Sequence, residues 1–176
     1  TLDMADQHLD LPWNVCRTEI YSGTQLRERL EVEKRLEGDY RSYGYRMRDE
    51  RAEVMFRILR VSFHDRALAI ESLLNRLISL SFARQLHETY FPSPATDRLS
   101  REIMDLSIAV RRDSVVEMRD MLAFVQTNDT HDKRAVRKYA VDKAVAINAR
   151  DAAYRFRAAE LWNQLNVRGM ALMSNR

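Results

Sequence analysis

The sequence has 176 residues, of which 45% are hydrophobic and 31% are charged. This length fits one domain with its own core, and this composition excludes a wholly disordered chain and a membrane span of about 18 apolar residues. With only four glycines and three prolines, the chain has too few turn residues for a fold made of many β-strands. We therefore expect a single all-α domain that spans residues 22–176 and follows an N-terminal arm.

The formal net charge is +3 at pH 7, and 25 of the 29 basic residues are arginine. Arginine binds carboxylate and phosphate groups in a bidentate manner, so this excess favours contacts with protein, RNA or lipid headgroups. A GC-rich genome would produce the same excess without any functional reason. Cys16 is the only cysteine, which excludes an intrachain disulfide and favours an intracellular or organellar compartment.

Residues 1–21 carry large apolar side chains without a helical period, and we interpret them as an extended arm that lies on a surface. That surface is either the arm's own bundle or a neighbouring subunit. In the second case Leu11, Trp13 and Tyr21 are the expected contacts, because aromatic residues are enriched among interface hot spots. The first ten residues contain three aspartates and no Arg or Lys, so they do not resemble a transit peptide.

A first, short helix is predicted for about residues 25–37. Thr24 can cap its N-terminus, and Gly38 can end it in the left-handed conformation. Its apolar face is narrow and its other positions are mostly charged, so we expect it at the periphery.

The segment 40–48 alternates three tyrosines with three arginines around Gly44. Tyrosine rings and guanidinium groups can stack on bases and bind phosphates of single-stranded RNA. The alternative is a linker between helices whose tyrosines cover the end of the bundle. The candidate contacts to RNA or to a partner protein are Tyr40, Arg41, Tyr43, Tyr45, Arg46 and Arg48.

A very long helix is predicted for about residues 45–90, because apolar residues recur there at steps of three and four without Gly or Pro. If it were continuous it would be roughly 70 Å long. Weak helix formers at 62–65 include Asp65, which can act as a cap, and they predict a break or kink. Pro92 and Pro94 end the helix.

Two further helices are predicted for about 95–125 and 133–166. The apolar stripe of the first is offset at residues 111–114, which indicates a kink or a change of supercoil. The stripe of the second is close to a heptad seam and has one polar position, Asp151. Together with 45–90 they predict an elongated antiparallel bundle of three long helices, with the shorter helix as an adjunct.

We expect no catalytic residue, no cofactor and no metal site. None of the four histidines lies in a Glu-x-x-His or His-Glu-x-x-His motif, and the sequence has no phosphate-binding glycine loop. The expected function is a non-catalytic structural or interaction subunit, a helical scaffold in a large multi-protein assembly. A mitochondrial setting is favoured over the cytosol or a virion.

The alternative function is an RNA-binding or viral coat-like helical protein that uses residues 40–48. Docking on anionic lipid is least favoured, because the sequence has no amphipathic basic helix with a large aromatic face.

Overall fold

The computed structural model describes residues 2–10 and 17–174, with side chains as far as residue 167. Its helices are α1 (Leu2–Gln7), α2 (Gln25–Val32), α3 (Glu50–Ser62), α4 (Leu73–Tyr90), α5 (Pro94–Thr127) and α6 (Lys133–Ser174). A π-helical turn (His64–Leu68) lies between α3 and α4, and strands β1 (Leu36–Asp39) and β2 (Ser42–Tyr45) form a small antiparallel hairpin. The prediction of a mostly helical protein is therefore confirmed, with the hairpin as an addition.

The helix predicted for 45–90 begins at Glu50, because Tyr45 pairs with Leu36 in the hairpin, and it is divided into the two helices α3 and α4. The break lies where the sequence predicted it, and the π turn occupies it. The side chain of Ser72 caps the N-terminus of α4 by accepting a hydrogen bond from the Asn75 amide. Asn75 in turn donates through Nδ2 to the carbonyls of Ala69 and Ile70. These bonds satisfy backbone groups that a continuous helix would have paired internally.

Helices α3 and α4 both pack against α5 and α6. Arg84 in α4 bonds Ser100 near the start of α5, whereas Tyr139 near the start of α6 bonds Asp120 far along α5. These two bonds place α4 antiparallel to α5, and α5 antiparallel to α6. The core lies between these four helices, and its fully buried apolar residues include Ile58, Phe63, Leu73, Leu77, Ile103, Val110, Val115, Met121, Ile147 and Leu161.

The helix predicted for 25–37 is wrong in its second half, since α2 ends at Val32 and β1 begins at Leu36. The amide of Arg35 bonds the carbonyl of Leu30, and the amide of Lys34 bonds that of Glu31. This is the Schellman pattern of a helix C-terminus, and Lys34 takes the left-handed position with φ 53°. The expected terminator Gly38 does have a positive φ of 79°, but it lies in β1 opposite Tyr43, just before the hairpin turn.

The predicted extended arm is helical over the six residues of α1. Leu2, Ala5 and Leu9 pack against the core, and Asp3 and Asp6 both bond Arg119 of α5. This part of the arm therefore lies on its own bundle. Leu11, Trp13 and Cys16 lie outside the described residues.

Candidate functional site

The centre of the described structure is a buried cluster of charged residues around Arg66 of the π turn. Arg66 is 0% exposed, and its guanidinium donates to both carboxylate oxygens of Asp151 on α6, with Nε 3.0 Å from Oδ2. It also donates to Asp113 of α5 at 2.7 Å and to the Ser114 hydroxyl at 3.2 Å. One side chain thus joins three segments that are far apart in the sequence.

A second row of ion pairs continues from this cluster along the contact between α5 and α6. Arg150 lies 3.4 Å from Asp113 and also bonds Glu117. Lys143 donates to Glu117 at 2.9 Å and forms an ion pair with Asp120. The charges therefore alternate in sign along the interface, so that each carboxylate faces at least one cation.

The pKa values of these groups follow from two opposed effects. Burial disfavours the charged guanidinium of Arg66, but its bonds to Asp151 and Asp113 outweigh burial and raise its pKa. Burial likewise acts to raise the pKa of Glu117, whereas the bonds from Lys143 and Arg150 lower it by more. Both groups are consequently held in their charged forms, which suits a structural role.

Each part of this cluster lies at or beside an irregularity of the sequence pattern, but the sequence does not show that the parts meet. The break at 62–65 precedes Arg66, the offset at 111–114 contains Asp113 and Ser114, and Asp151 is the one polar position of its stripe. From the sequence alone, each irregularity predicts only a local feature of one helix, such as a kink or a single polar position. The structure brings them to one point, where they fix the alignment of α5 and α6 against the π turn.

Four of the six predicted contacts of segment 40–48 lie in the hairpin, and Arg46 and Arg48 follow it. Most of the six already have partners elsewhere in the chain. The guanidinium of Arg17 lies 4.5 Å from the Tyr45 ring and 4.8 Å from that of Phe56. Arg27 lies 5.6 Å from the ring of Tyr43. These stacking contacts use the faces that an RNA base would need.

The arginines of the segment are also engaged. Arg46 pairs with Glu37 at 2.9 Å, and Arg48 pairs with Glu33 at 2.6 Å. Bonds from Arg35 and Arg29 lower the pKa of Glu33 to about 2. Tyr40 is 73% exposed at the hairpin turn, and the guanidinium of the exposed Arg41 lies 5.5 Å from its ring.

Of the predicted arm contacts, Tyr21 is the one that the structure describes. It is 62% exposed, and its hydroxyl donates to the carboxylate of Glu19. Tyr21 is therefore available at the surface, and the prediction that it contacts a partner stays a prediction.

An open cleft of about 370 Å³ lies between the start of α4 and the second half of α6. Leu80 and Ala158 contribute to its apolar lining, and Trp162, which is 40% exposed, contributes an aromatic ring. Arg76 and Glu71 also line the cleft and pair with each other at 3.3 Å. This mixture suits an inserted side chain of a partner better than a strongly charged ligand.

Two helices of the described structure carry rows of exposed apolar residues. On α4 these are Phe82, Leu86 and Tyr90, which are 66%, 58% and 66% exposed. On α6 the most exposed large ones are Val145, Phe156 and Val167, at 66%, 68% and 62%, and Val141 and Trp162 are 46% and 40% exposed. The equal spacing of four residues on α4 places its row along one face of that helix.

Within the described residues, no group of three or more His, Cys, Asp or Glu side chains is arranged to hold a metal ion. The helices of the same part of the chain include none with the length and apolar character that crossing a membrane requires. No protein-family model matches the sequence, and comparison with curated proteins and with solved structures gives no match either.

Proposed function

We propose that this protein is a non-catalytic structural subunit that binds other proteins of a larger assembly through the exposed row on α4. The observation that carries the proposal is that row itself, Phe82, Leu86 and Tyr90, each more than half exposed and spaced by four residues. Side chains with this spacing act together when a helix lies in a groove of a partner.

The surroundings of the row support the proposal. Single exposed apolar residues are ordinary on protein surfaces, whereas contiguous patches mark interaction sites. The cleft lined by Trp162 of α6 is also lined by residues of α4, which is the helix that carries the row. Trp, Tyr and Phe are the residue types enriched in protein interfaces.

The use of the charged residues also favours a structural role. The side chains with shifted pKa values in the bundle, such as Arg66 and Glu117, are engaged in ion pairs that join helices. Groups that perform catalysis are expected instead to line a cleft that a substrate can enter. We extend the proposal to an organellar, mitochondrial setting on the ground of the arginine-rich composition alone.

The test is the native mass of the assembly that contains the chain in its source, at low and at high salt. We expect a salt-stable complex much heavier than 20.7 kDa. The double variant Phe82→Ser/Leu86→Ser should leave this complex and migrate at its own mass. Val116→Ser is the matched control, because Val116 is 53% exposed but lies on α5. A parent chain that is never part of a heavier complex would refute the proposal.

RNA binding through segment 40–48 is the second proposal, and the open pair Tyr40–Arg41 is what favours it. This function predicts binding that weakens steeply with salt. Replacing Arg41, Arg46 and Arg48 with glutamine should abolish it. Binding to RNA that is indifferent to these three substitutions would contradict the proposal.

A further inference from the structure

We propose that two copies of this chain associate antiparallel through the outward face of α6. This inference rests on the proposed structural role, but it uses a different face and names its occupant as a second copy. The face consists of Val145, Ala149, Ala152, Phe156, Ala159 and Asn163, all of which are exposed. We refer to it below as the α6 seam.

The α6 seam has the spacing of a coiled-coil contact. Its residues follow one another at alternating steps of four and three, which keeps them on one side of a helix that packs against another helix. The opposite side of α6 packs against the core through Ile147, Ala158 and Leu161. Both sides of this helix are thus apolar, a pattern that is typical of a helix covered on both sides.

The order of residue sizes along the α6 seam is self-complementary about the midpoint between Arg150 and Asp151. Ala149 and Ala152 lie at equal distances on either side of this midpoint, and so do Val145 and Phe156. In an antiparallel pair of copies, Phe156 of each copy would therefore face Val145 of the other. The alanines between them would let the two helix backbones approach closely.

Charge selects the antiparallel over the parallel arrangement. The apolar part of the face is flanked at one end by Lys138 and Asp142, which pair with each other at 2.6 Å. At the other end lies Glu160, which pairs with Arg157 at 3.0 Å. In a parallel pair, Lys138, Asp142 and Glu160 would each face the same residue of the other copy, which is repulsive. In the antiparallel pair none of the three faces a like charge directly, since Lys138 lies opposite Asn163, Asp142 opposite Ala159 and Glu160 opposite Val141.

The proposal is tested by measuring the mass of the full chain by sedimentation. The concentrations run from roughly 1 µM to 1 mM, which is the range of weak specific association. We expect a concentration-dependent doubling of mass. Phe156→Glu should abolish it throughout this range, because a carboxylate would be buried against Val145 twice per dimer. The matched control Phe82→Glu is equally exposed, but it lies on α4 and should leave the dimer intact.

The orientation is tested with a spin label attached at position 134 in the double variant Cys16→Ser/Arg134→Cys, whose introduced thiol is the single labelling site. In an antiparallel pair, position 134 of one copy lies opposite position 167 of the other. The two labels are therefore separated by about 33 residues along the helix axis, or about 50 Å. In a parallel pair they would be separated by only about one interhelical distance, roughly 10 Å. A short distance would overturn the antiparallel arrangement.

Failure of this inference and failure of the proposed function give different results. A parent chain that stays monomeric over the whole range, or a dimer that Phe156→Glu leaves unchanged, overturns the self-association. Such a chain could still enter a heavier complex in its source through Phe82 and Leu86. A dimer that is lost in Phe156→Glu supports the inference even if no other protein joins it.

Discussion

Arg66 and Asp151 form a two-point ion pair in which both side chains are 0% exposed. The arginine belongs to the π turn and the aspartate to α6, so the pair joins elements 85 residues apart in the sequence. Burying two charges costs free energy that their attraction repays only when the remaining hydrogen bonds are satisfied. Asp113 and Ser114 supply those further bonds to Arg66.

Replacing Arg66 with Met should destabilise the protein strongly, because Asp151 is then left as a buried carboxylate without its cation. We expect a loss of about 3–5 kcal/mol in the free energy of unfolding, measured by chemical denaturation. The double variant Arg66→Met/Asp151→Leu should lose less than the single variant, since it removes both charges. The exposed residue Arg60 is the control, and Arg60→Met should change little. A loss below about 1 kcal/mol for Arg66→Met would contradict the role of the pair.

Stability should fall in acid partly through Glu117. Its pKa is lowered in the folded state from the ordinary value of 4.5, because the bonds from Lys143 and Arg150 outweigh its burial. As the pH falls, Glu117 therefore binds a proton in the unfolded chain before it does so in the folded protein. The stabilisation by the charged Glu117 is present above pH 4.5, and it is lost below that value as the pH passes through the folded-state pKa.

Denaturation curves below about pH 5 should consequently have a shallower pH dependence for Glu117→Gln than for the parent. Glu71→Gln, whose side chain is 79% exposed in the parent, should retain the parent slope. Equal slopes for the parent and Glu117→Gln would show that this carboxylate is not held in its charged form by the fold.

Gly38→Ala should disrupt the hairpin. A Cβ atom at position 38 would lie 2.1 Å from the Ser42 carbonyl oxygen, and the φ of 79° is unfavourable for alanine. We expect a local destabilisation of more than about 1 kcal/mol, seen as faster hydrogen exchange of the amides in residues 36–45. Gly44→Ala is the control, because the nearest atom to its Cβ would be 3.8 Å away. Unchanged exchange in Gly38→Ala would show that the turn adapts.

Arg119→Gln should release α1 without unfolding the bundle. Arg119 holds Asp3 and Asp6 at 3.1 Å each, and a helix of six residues has little stability of its own. Proteolysis within residues 2–10 should accelerate, whereas the free energy of unfolding should change by less than about 0.5 kcal/mol. An exposed arginine on the same helix gives the control Arg112→Gln, which should be cleaved at the parent rate. Equal rates for all three proteins would mean that the apolar contacts of α1 and the bonds from Arg111 to the carbonyls of Leu9 and Asp10 are sufficient to hold this segment.

The sequence was sufficient where the determining interactions are local. The helix predicted from about residue 95 is α5, and its cap is local, since the Ser93 side chain accepts a hydrogen bond from the Thr96 amide. Apolar spacing likewise predicted α6, and the weak helix formers at 62–65 predicted the break that the π turn occupies. Gly38 led to a wrong helix end, because a glycine with positive φ occurs in hairpins as well as at helix ends. The termination at Lys34 carries no comparable signal in the sequence.

What the sequence determined by itself is therefore the helical class, the starts of α2, α5 and α6, the end of α4 and the positions where the apolar pattern is interrupted. The tertiary structure alone decided that three of these interruptions meet, with Arg66 between Asp113 and Asp151. The physical reason is that residue spacing fixes which side chains share a face of one helix, whereas the pairing of faces depends on how separate helices pack. The same reason explains why the exposed faces of α4 and α6 could be identified only after the core had been assigned.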